Sequence, residues 1–372
     1  MTGPTYHYIE RDDAFAAALA RWRQHSVVGI DTEFIRTRTF FPIAALYQIA
    51  TDDELAIVDP LSVSRWDGFK ALLEDASVVK VMHACSEDLE VFARHVGAKP
   101  ANLFDTQVAS AFLSSDFSPS YADLVERYTG TQLGKHETRS DWLARPLREE
   151  QLRYAVEDIV YLLPVYRAQL AELTRLGRLA WFEEEIGHRI GFDLVDPDRC
   201  YANLRKAGRC NRRELGRLQL LCAWRERYAR AKDLPRGHVV KDDQLIDLVQ
   251  RRTVDHETIV KTIEPASARR HGKDLLALIE QADRLPDEAL PPLLAAPFSA
   301  SETRTLKELK AIGAERAKAL EMAEELLSRR RDLETCLRSV RSDGRLPENF
   351  RGWRHALVGE LFEAKLTGAA SA

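Results

Sequence analysis

Long apolar runs are missing from this chain of 372 residues. Runs such as Val27–Ile30 and Ile43–Leu46 are far too short to cross a bilayer, so no membrane span is expected. A basic stretch leading into an apolar one is missing near the start, where Arg11, Asp12 and Asp13 follow soon after Met1, so no secretory signal is visible. Cysteine is sparse. Cys85, Cys200, Cys210, Cys222 and Cys336 are odd in number, scattered and free of any CxxC pair, which argues against a disulfide framework and a structural zinc site. A reducing cytoplasm is the expected compartment. A strong net charge is missing too: the total of −4 does not announce a nucleic-acid partner. Local bias matters more than that average. Between Arg199 and Lys232 stand eleven Lys or Arg residues against two acids, Glu214 and Glu226. Phosphate contacts and a solvated helix face are both compatible with that run.

What is present is an ordinary folded composition, 45% hydrophobic and 30% charged, in a length that suits two or three domains. The first half alternates strand and helix patterns. Val27–Ile30, Ala45–Ala50, Leu55–Val58 and Val78–Met82 are short apolar runs rich in β-branched residues. Thr51-Asp52-Asp53-Glu54 is short enough to close an antiparallel hairpin. Helical patterns cover Trp66–Leu73, Glu87–His95, Thr106–Leu113, Tyr121–Tyr128 and Glu149–Leu170. A mixed sheet flanked by helices is the economical architecture. After Asp196-Pro197 strand patterns stop, and Leu218, Leu221, Trp224 and Tyr228 recur at helical spacing. A second helical block begins near Pro297, beyond a Pro-rich connection. The expected division is an α/β domain over residues 1–195 and two all-α modules over 208–288 and 295–372.

Asp31-Thr32-Glu33 follows the first strand run. Residues i and i+2 of an extended chain share a side, so both carboxylates can reach one point, an oxygen-rich arrangement that suits hard cations. Asp88 opens a helical stretch after Val78–Met82 and His83-Ala84-Cys85-Ser86. Tyr154 and Asp158 stand four apart in a helical segment, one turn apart on one face. Taken singly, each has a plain structural explanation: a first-turn acid for Asp88, an exposed helix acid for Asp158, a half-buried phenol for Tyr154.

Together, Asp31, Glu33, Asp88, Tyr154 and Asp158 resemble the DEDD exonuclease superfamily in its tyrosine-bearing branch. The histidine-bearing branch places its histidine five residues before the last aspartate, where this chain has Arg153. Val28–Phe34, His83-Ala84 with Asp88-Leu89, Phe104-Asp105-Thr106-Gln107, and Ser140–Leu147 with Gln151-Leu152 resemble the ribonuclease D family in order and spacing. The resemblance implies a ribonuclease H-like α/β exonuclease fold with two divalent ions, Mg²⁺ or Mn²⁺. It gives Asp31, Glu33 and Asp158 to the ion beside the attacking water. Asp31 would also bridge to a second ion, which Asp88 helps to hold. Tyr154 would orient the water, since a phenol of pKa near ~10 is a poor base at neutral pH. The product is a 5′-mononucleotide, and the partner an RNA with a free 3′ end, a tRNA precursor in particular. Phe34, Lys135, Arg139 and Trp142 are candidate substrate contacts, with core packing the competing role for the two aromatics.

The segment Arg212–Leu248 resembles the HRDC module (helicase and ribonuclease D C-terminal) in Leu218–Glu226, Ala229–Pro235, Val239-Val240 and Asp243-Gln244-Leu245. Leu327–Glu334 with Gly352-Trp353-Arg354 resembles the tail of ribonuclease D. Such modules imply help in gripping nucleic acid; a structural or protein-binding bundle is the alternative. A helicase would need a phosphate-binding loop. Gly130–His136 has three residues between its glycines instead of four and a histidine in place of the Mg²⁺-binding hydroxyl, and no nucleotide cofactor is expected. A DNA 3′–5′ exonuclease is the enzymatic rival, because 2′-hydroxyl contacts are not legible in a sequence. A non-catalytic binder is disfavoured by the presence of all four acids and the tyrosine.

Overall fold

The structure, a computed structural model, describes residues 4–134, 140–189, 194–295 and 298–368. Its chain divides into two compact units. The first gathers Met1–Ile35, Ile43–Phe192 and Ser299–Ala372; the second gathers Arg36–Pro42 and Asp193–Phe298.

Unit one is built on a six-stranded sheet: β1 (His7–Ile9), β2 (Val27–Ile35), β3 (Ile43–Ala50), β4 (Leu55–Val58), β5 (Val79–Met82) and β6 (Leu103–Asp105). Their order is β1-β4-β3-β2-β5-β6. The β2, β3 and β4 pairings are antiparallel, while β1 pairs with β4, β5 with β2, and β6 with β5 in parallel. The expected hairpin closes at Thr51, whose N–H donates to Glu54 O at 2.9 Å. The helices are α1 (Asp12–Trp22), α2 (Asp67–Glu74), α3 (Ser86–Val91), α4 (Thr106–Leu113), α5 (Tyr121–Thr129), α6 (Glu149–Val160), α7 (Leu162–Arg175) and α8 (Leu179–Arg189). A mixed sheet flanked by helices is thus the architecture, as the pattern implied.

Three local outcomes differ from the sequence patterns. The strand that carries the acids does not stop at Ile30 but runs to Ile35, because β3 pairs along it as far as Ile35↔Ile43, with a bulge between Glu33 and Phe34. The helical pattern over Glu149–Leu170 is two helices that break at Tyr161. Pro164 has no N–H to continue the first helix, and it sits in the first turn of α7, where none is needed. The pattern over Glu87–His95 is α3 followed by a π-helical turn, Phe92–Val96, ended by Gly97 at φ +67°. Gly29 has a packing role: a Cβ there would lie 3.3 Å from Ala50 Cβ and 3.4 Å from Leu162 Cβ, so its absence lets α7 sit close on β2.

The segment from Ser299 onward forms α14 (Ala300–Ala319), α15 (Glu325–Ser328), α16 (Arg330–Asp343) and α17 (Glu360–Gly368), helices that follow five others in unit two. It packs on helices that flank the sheet. Ala323 N–H donates to Ala111 O at 2.8 Å, and Arg178 bridges the carbonyls of Phe112 and Leu320. The Trp353 ring lies 5.0 Å from Phe112 and 6.0 Å from Trp181, and Arg354 pairs with Glu185 at 2.7 Å. Of the expected span 295–372, the part from Ser299 onward is therefore grouped with the α/β core rather than standing by itself.

Unit two contains α9 (Arg212–Lys232), α10 (Arg236–Val239), α11 (Asp242–Val249), α12 (His256–Thr262) and α13 (Pro265–Asp283) around a core of Leu215, Leu218, Leu221, Val239, Leu245 and Leu275. Most of the basic run on α9 is spent inside the unit. Arg213, Arg217, Arg225 and Arg227 pair with Asp287, Asp283, Asp242 and Asp198, each at 2.6 Å. Arg230 and Arg236 share the buried Glu226. Among the described residues, no helix is long and apolar enough to cross a membrane.

Candidate active site

β2 carries Asp31 and Glu33 on one face, and α6 crosses that face with Tyr154 and Asp158 one turn apart. Carboxylate oxygens of Asp31, Glu33 and Asp158 all lie within 4.8 Å of one another. The Tyr154 hydroxyl donates to Asp158. Asp88, 7% exposed, comes in from α3, and Thr32 Oγ1 donates to its Oδ1. The five residues line one cleft of about 260 Å³ with Phe34, His83, Glu87 and Tyr121.

Ionisation of these acids is opposed. Burial raises the Asp31 carboxyl well above the ordinary range, and the charges of Asp158, Asp88 and Glu33 add to it. Burial, then Asp158 and Asp88, lifts Glu33 to about 9. Asp88 and Asp158 are each lifted to about 7, burial outweighing the hydrogen bonds from Thr32 and Tyr154 respectively. The Tyr154 phenol is raised as well, by burial and then by Asp158, so it keeps its proton. Among the described residues, no Lys, Arg or His forms an ion pair with any of the four acids. An all-oxygen, half-buried cluster with no counter-ion among the described residues has the donor set that a hard divalent cation requires.

Of the candidate substrate contacts, Phe34 is half-buried in the cleft wall. Trp142 is corrected: it is 6% exposed and packs among Ala45, Leu46, Ala155 and Val156, its ring 5.9 Å from that of Tyr154. Burial takes its face away from any base and makes it a support for α6. Lys135 and Arg139 lie outside the described residues. Sequence reading missed His83 and Tyr121 as cleft residues; His83 Nδ1 lies 2.9 Å from Thr106 Oγ1. The His83-Ala84 motif was the available signal for the first, whereas nothing marked Tyr121.

Support beneath the site comes from Arg145. Its Nε and Nη2 reach the two oxygens of buried Asp59 at 2.6 and 2.8 Å, and it also donates to the carbonyls of Trp142 and Ala45, each at 2.8 Å. The segment leading into α6 is thereby tied to β3 and to the end of β4.

A mixed sheet whose central strand presents Asp-x-Glu to two further aspartates and a tyrosine defines a 3′–5′ exonuclease domain of the DEDD superfamily. The family described as 3′–5′ exonuclease matches residues 6–173, and the HRDC domain family matches residues 214–279. Ribonuclease D of Pseudomonas paraeruginosa is 41% identical, over 99% of this chain and 100% of its own. Ribonuclease D of Escherichia coli K12 is 36% identical, over 95% of this chain and 96% of its own. The crystal structure of Escherichia coli RNase D, described as an exoribonuclease involved in structured RNA processing, superposes with a TM-score of 0.91 at 34% identity, covering 98% of this chain and 99% of that one. The catalytic core of RRP6 from Trypanosoma brucei, at 24% identity and a TM-score of 0.60, shares the fold. The chain belongs to the ribonuclease D family and is a 3′–5′ exoribonuclease.

Proposed function

We propose that this enzyme trims the 3′ ends of structured RNA precursors, tRNA tails among them, in the cytoplasm, and that two divalent ions, Mg²⁺ or Mn²⁺, serve it. One observation carries the reading: three carboxylates meet within 4.8 Å with no ion-pair partner among the described residues, and a tyrosine is bonded to one of them. Asp31, Glu33 and Asp158 would hold one ion, and Asp88 with Asp31 would hold the other. Bound ions neutralise the phosphodiester and stabilise the attacking and leaving oxygens of an in-line displacement.

The chain's own groups do the rest. Tyr154 donates its proton to Asp158, which leaves its oxygen lone pairs to accept from the attacking water and aim it at phosphorus. A raised phenol pKa makes this an orienting role, since the group is a poor base. Water's oxygen bonds to phosphorus as the 3′-oxygen of the penultimate nucleotide leaves and takes up a proton. The products are a 5′-mononucleotide and an RNA one residue shorter with a new 3′-hydroxyl. Phe34, a half-buried residue of the cleft wall, would meet the terminal nucleotide, and the HRDC unit would assist in gripping longer RNA.

The test is a time course on 5′-labelled RNA and matched DNA, with free or blocked 3′ ends, in Mn²⁺, Mg²⁺ or chelator. A ladder that shortens from the free 3′ end of RNA, stops in chelator and extends to a tRNA precursor is expected. Faster digestion of DNA would move the reading to the DNA-directed rival, and binding without shortening would refute catalysis.

A further inference from the structure

The Phe104-Asp105-Thr106-Gln107 motif takes no part in the chemistry above, yet its aspartate is 4% exposed and fully engaged. Asp105 Oδ1 accepts from the backbone N–H of Ala84, Gln107 and Val108 at 3.1, 2.8 and 3.2 Å, and Oδ2 accepts from Cys85 N–H at 3.0 Å. Two of these donors open α4, the ordinary work of an N-cap. The other two belong to a different segment, the turn that leaves β5 and leads to Asp88. Met82 lies opposite Asp105 in the parallel β5–β6 pair, so the turn leaving one strand meets the carboxylate at the end of the other. That turn is unusual: Ala84 has φ +53°, a left-handed conformation that a residue with a Cβ adopts only when held there. Thr106 pins the same turn through His83 Nδ1, and its own carbonyl accepts from Gln169 Nε2 of α7 at 2.9 Å. Asp88 follows three residues after Cys85, and its carboxylate is met by Thr32 from β2.

We infer that Asp105 is a positioning residue for the second ion. It fixes the turn that aims Asp88 at the Asp31–Glu33 strand. Its four N–H bonds use up its acceptor capacity, so this nearby carboxylate does not itself compete for a cation. The inference rests on the four-acid metal site proposed above.

Asp105→Asn preserves size, but its amide nitrogen cannot accept and would confront a backbone N–H donor to donor. The variant is compared with Asp88→Asn and the full-length wild type by calorimetric titration with Mn²⁺ in the absence of RNA, by melting, and by turnover on RNA. In Asp105→Asn the Mn²⁺ event that Asp88→Asn abolishes weakens by about 10–100-fold, while the other event is kept. Turnover falls at fixed Mn²⁺, recovers as Mn²⁺ is raised, and KM for RNA is unchanged. Wild-type Mn²⁺ binding with only a lower melting point would overturn the inference and leave Asp105 a staple of the fold. Thr106→Val keeps the carboxylate and loosens the same turn. It loses about three- to tenfold in that event, and a wild-type titration there would overturn the inference even if Asp105→Asn failed to fold. Should Asp88→Asn itself bind Mn²⁺ like the wild type, the metal-site reading fails; should only Asp105→Asn do so, this inference alone fails.

Discussion

Asp31→Asn removes one charge from the middle of the cluster, and the structure supplies the scale of the effect. Two unit charges separated by 4.8 Å, the bound on the spacing of the Asp31, Glu33 and Asp158 oxygens, repel by roughly 3.5 kcal/mol at an effective dielectric of ~20. Without a cation the folded protein answers by keeping protons, with Asp88 and Asp158 lifted to about 7 and Glu33 to about 9. The unfolded chain sheds those protons near the ordinary carboxylate range. Between the two ranges the native state therefore holds more protons than the unfolded one, and stability falls as pH rises. One proton retained over about two pH units is worth about 2.7 kcal/mol, or roughly 5–10 °C of melting temperature. In chelator, the wild type should lose about that much relative to Asp31→Asn between about pH 5.5 and about pH 8.5, since the amide relieves its neighbours. Adding Mn²⁺ at ~100 times its Kd should return about 2.7 kcal/mol to the wild type at the higher pH and much less to the variant. Scanning calorimetry across that range with chelator or Mn²⁺ measures both. Parallel pH profiles in chelator, or equal Mn²⁺ gains in both proteins, would refute the idea that these acids form a desolvated, cation-seeking cluster.

Tyr154→Phe removes the hydroxyl and leaves the carboxylates; single-turnover cleavage should slow by about 10²-fold with Mn²⁺ affinity within a few-fold of wild type, and undiminished cleavage would remove Tyr154 from the mechanism. Arg145→Met strands the buried Asp59 carboxylate, so urea unfolding should show a loss of about 3–5 kcal/mol; a loss below ~1 kcal/mol would mean that the pair is solvated. Trp353→Ala empties the contact with Phe112 and Trp181 and should destabilise unit one by about 3–5 kcal/mol in the same assay. A near-neutral result would show the C-terminal helices to be loosely applied.

The carboxylates were legible because each sits in a local pattern that its own neighbours reveal. Asp31 and Glu33 share a strand face, Tyr154 and Asp158 a helix face, and the order of the four acids along the chain needs no coordinates. α4 was legible at both ends, since its helical pattern over Thr106–Leu113 coincides with the helix. Elements that depend on distant partners were not. β1 and β6 have three residues each, too few to show a period, and exist because β4 and β5 offer them edges. The ion-pair partners of the basic run on α9 were hidden for the same reason. Its neutralising acids, Asp198, Asp242, Asp283 and Asp287, all lie outside the counted window and return only through folding. The Asp105 network joins residues twenty or more apart across two strands, so a motif could be noticed without its purpose being visible.

The grouping of Ser299 onward with the first strands also bears on synthesis. A ribosome delivers the sheet and α1–α8 first, then the 193–298 segment of unit two, an interval on the order of ten seconds, before it makes the segment whose Trp353 covers Phe112 and Trp181. During that interval the nascent catalytic unit carries an uncovered aromatic surface. The compact catalytic unit is therefore complete only once the segment from Ser299 onward has been made, so its assembly is post-translational in timing even though its sheet is made first.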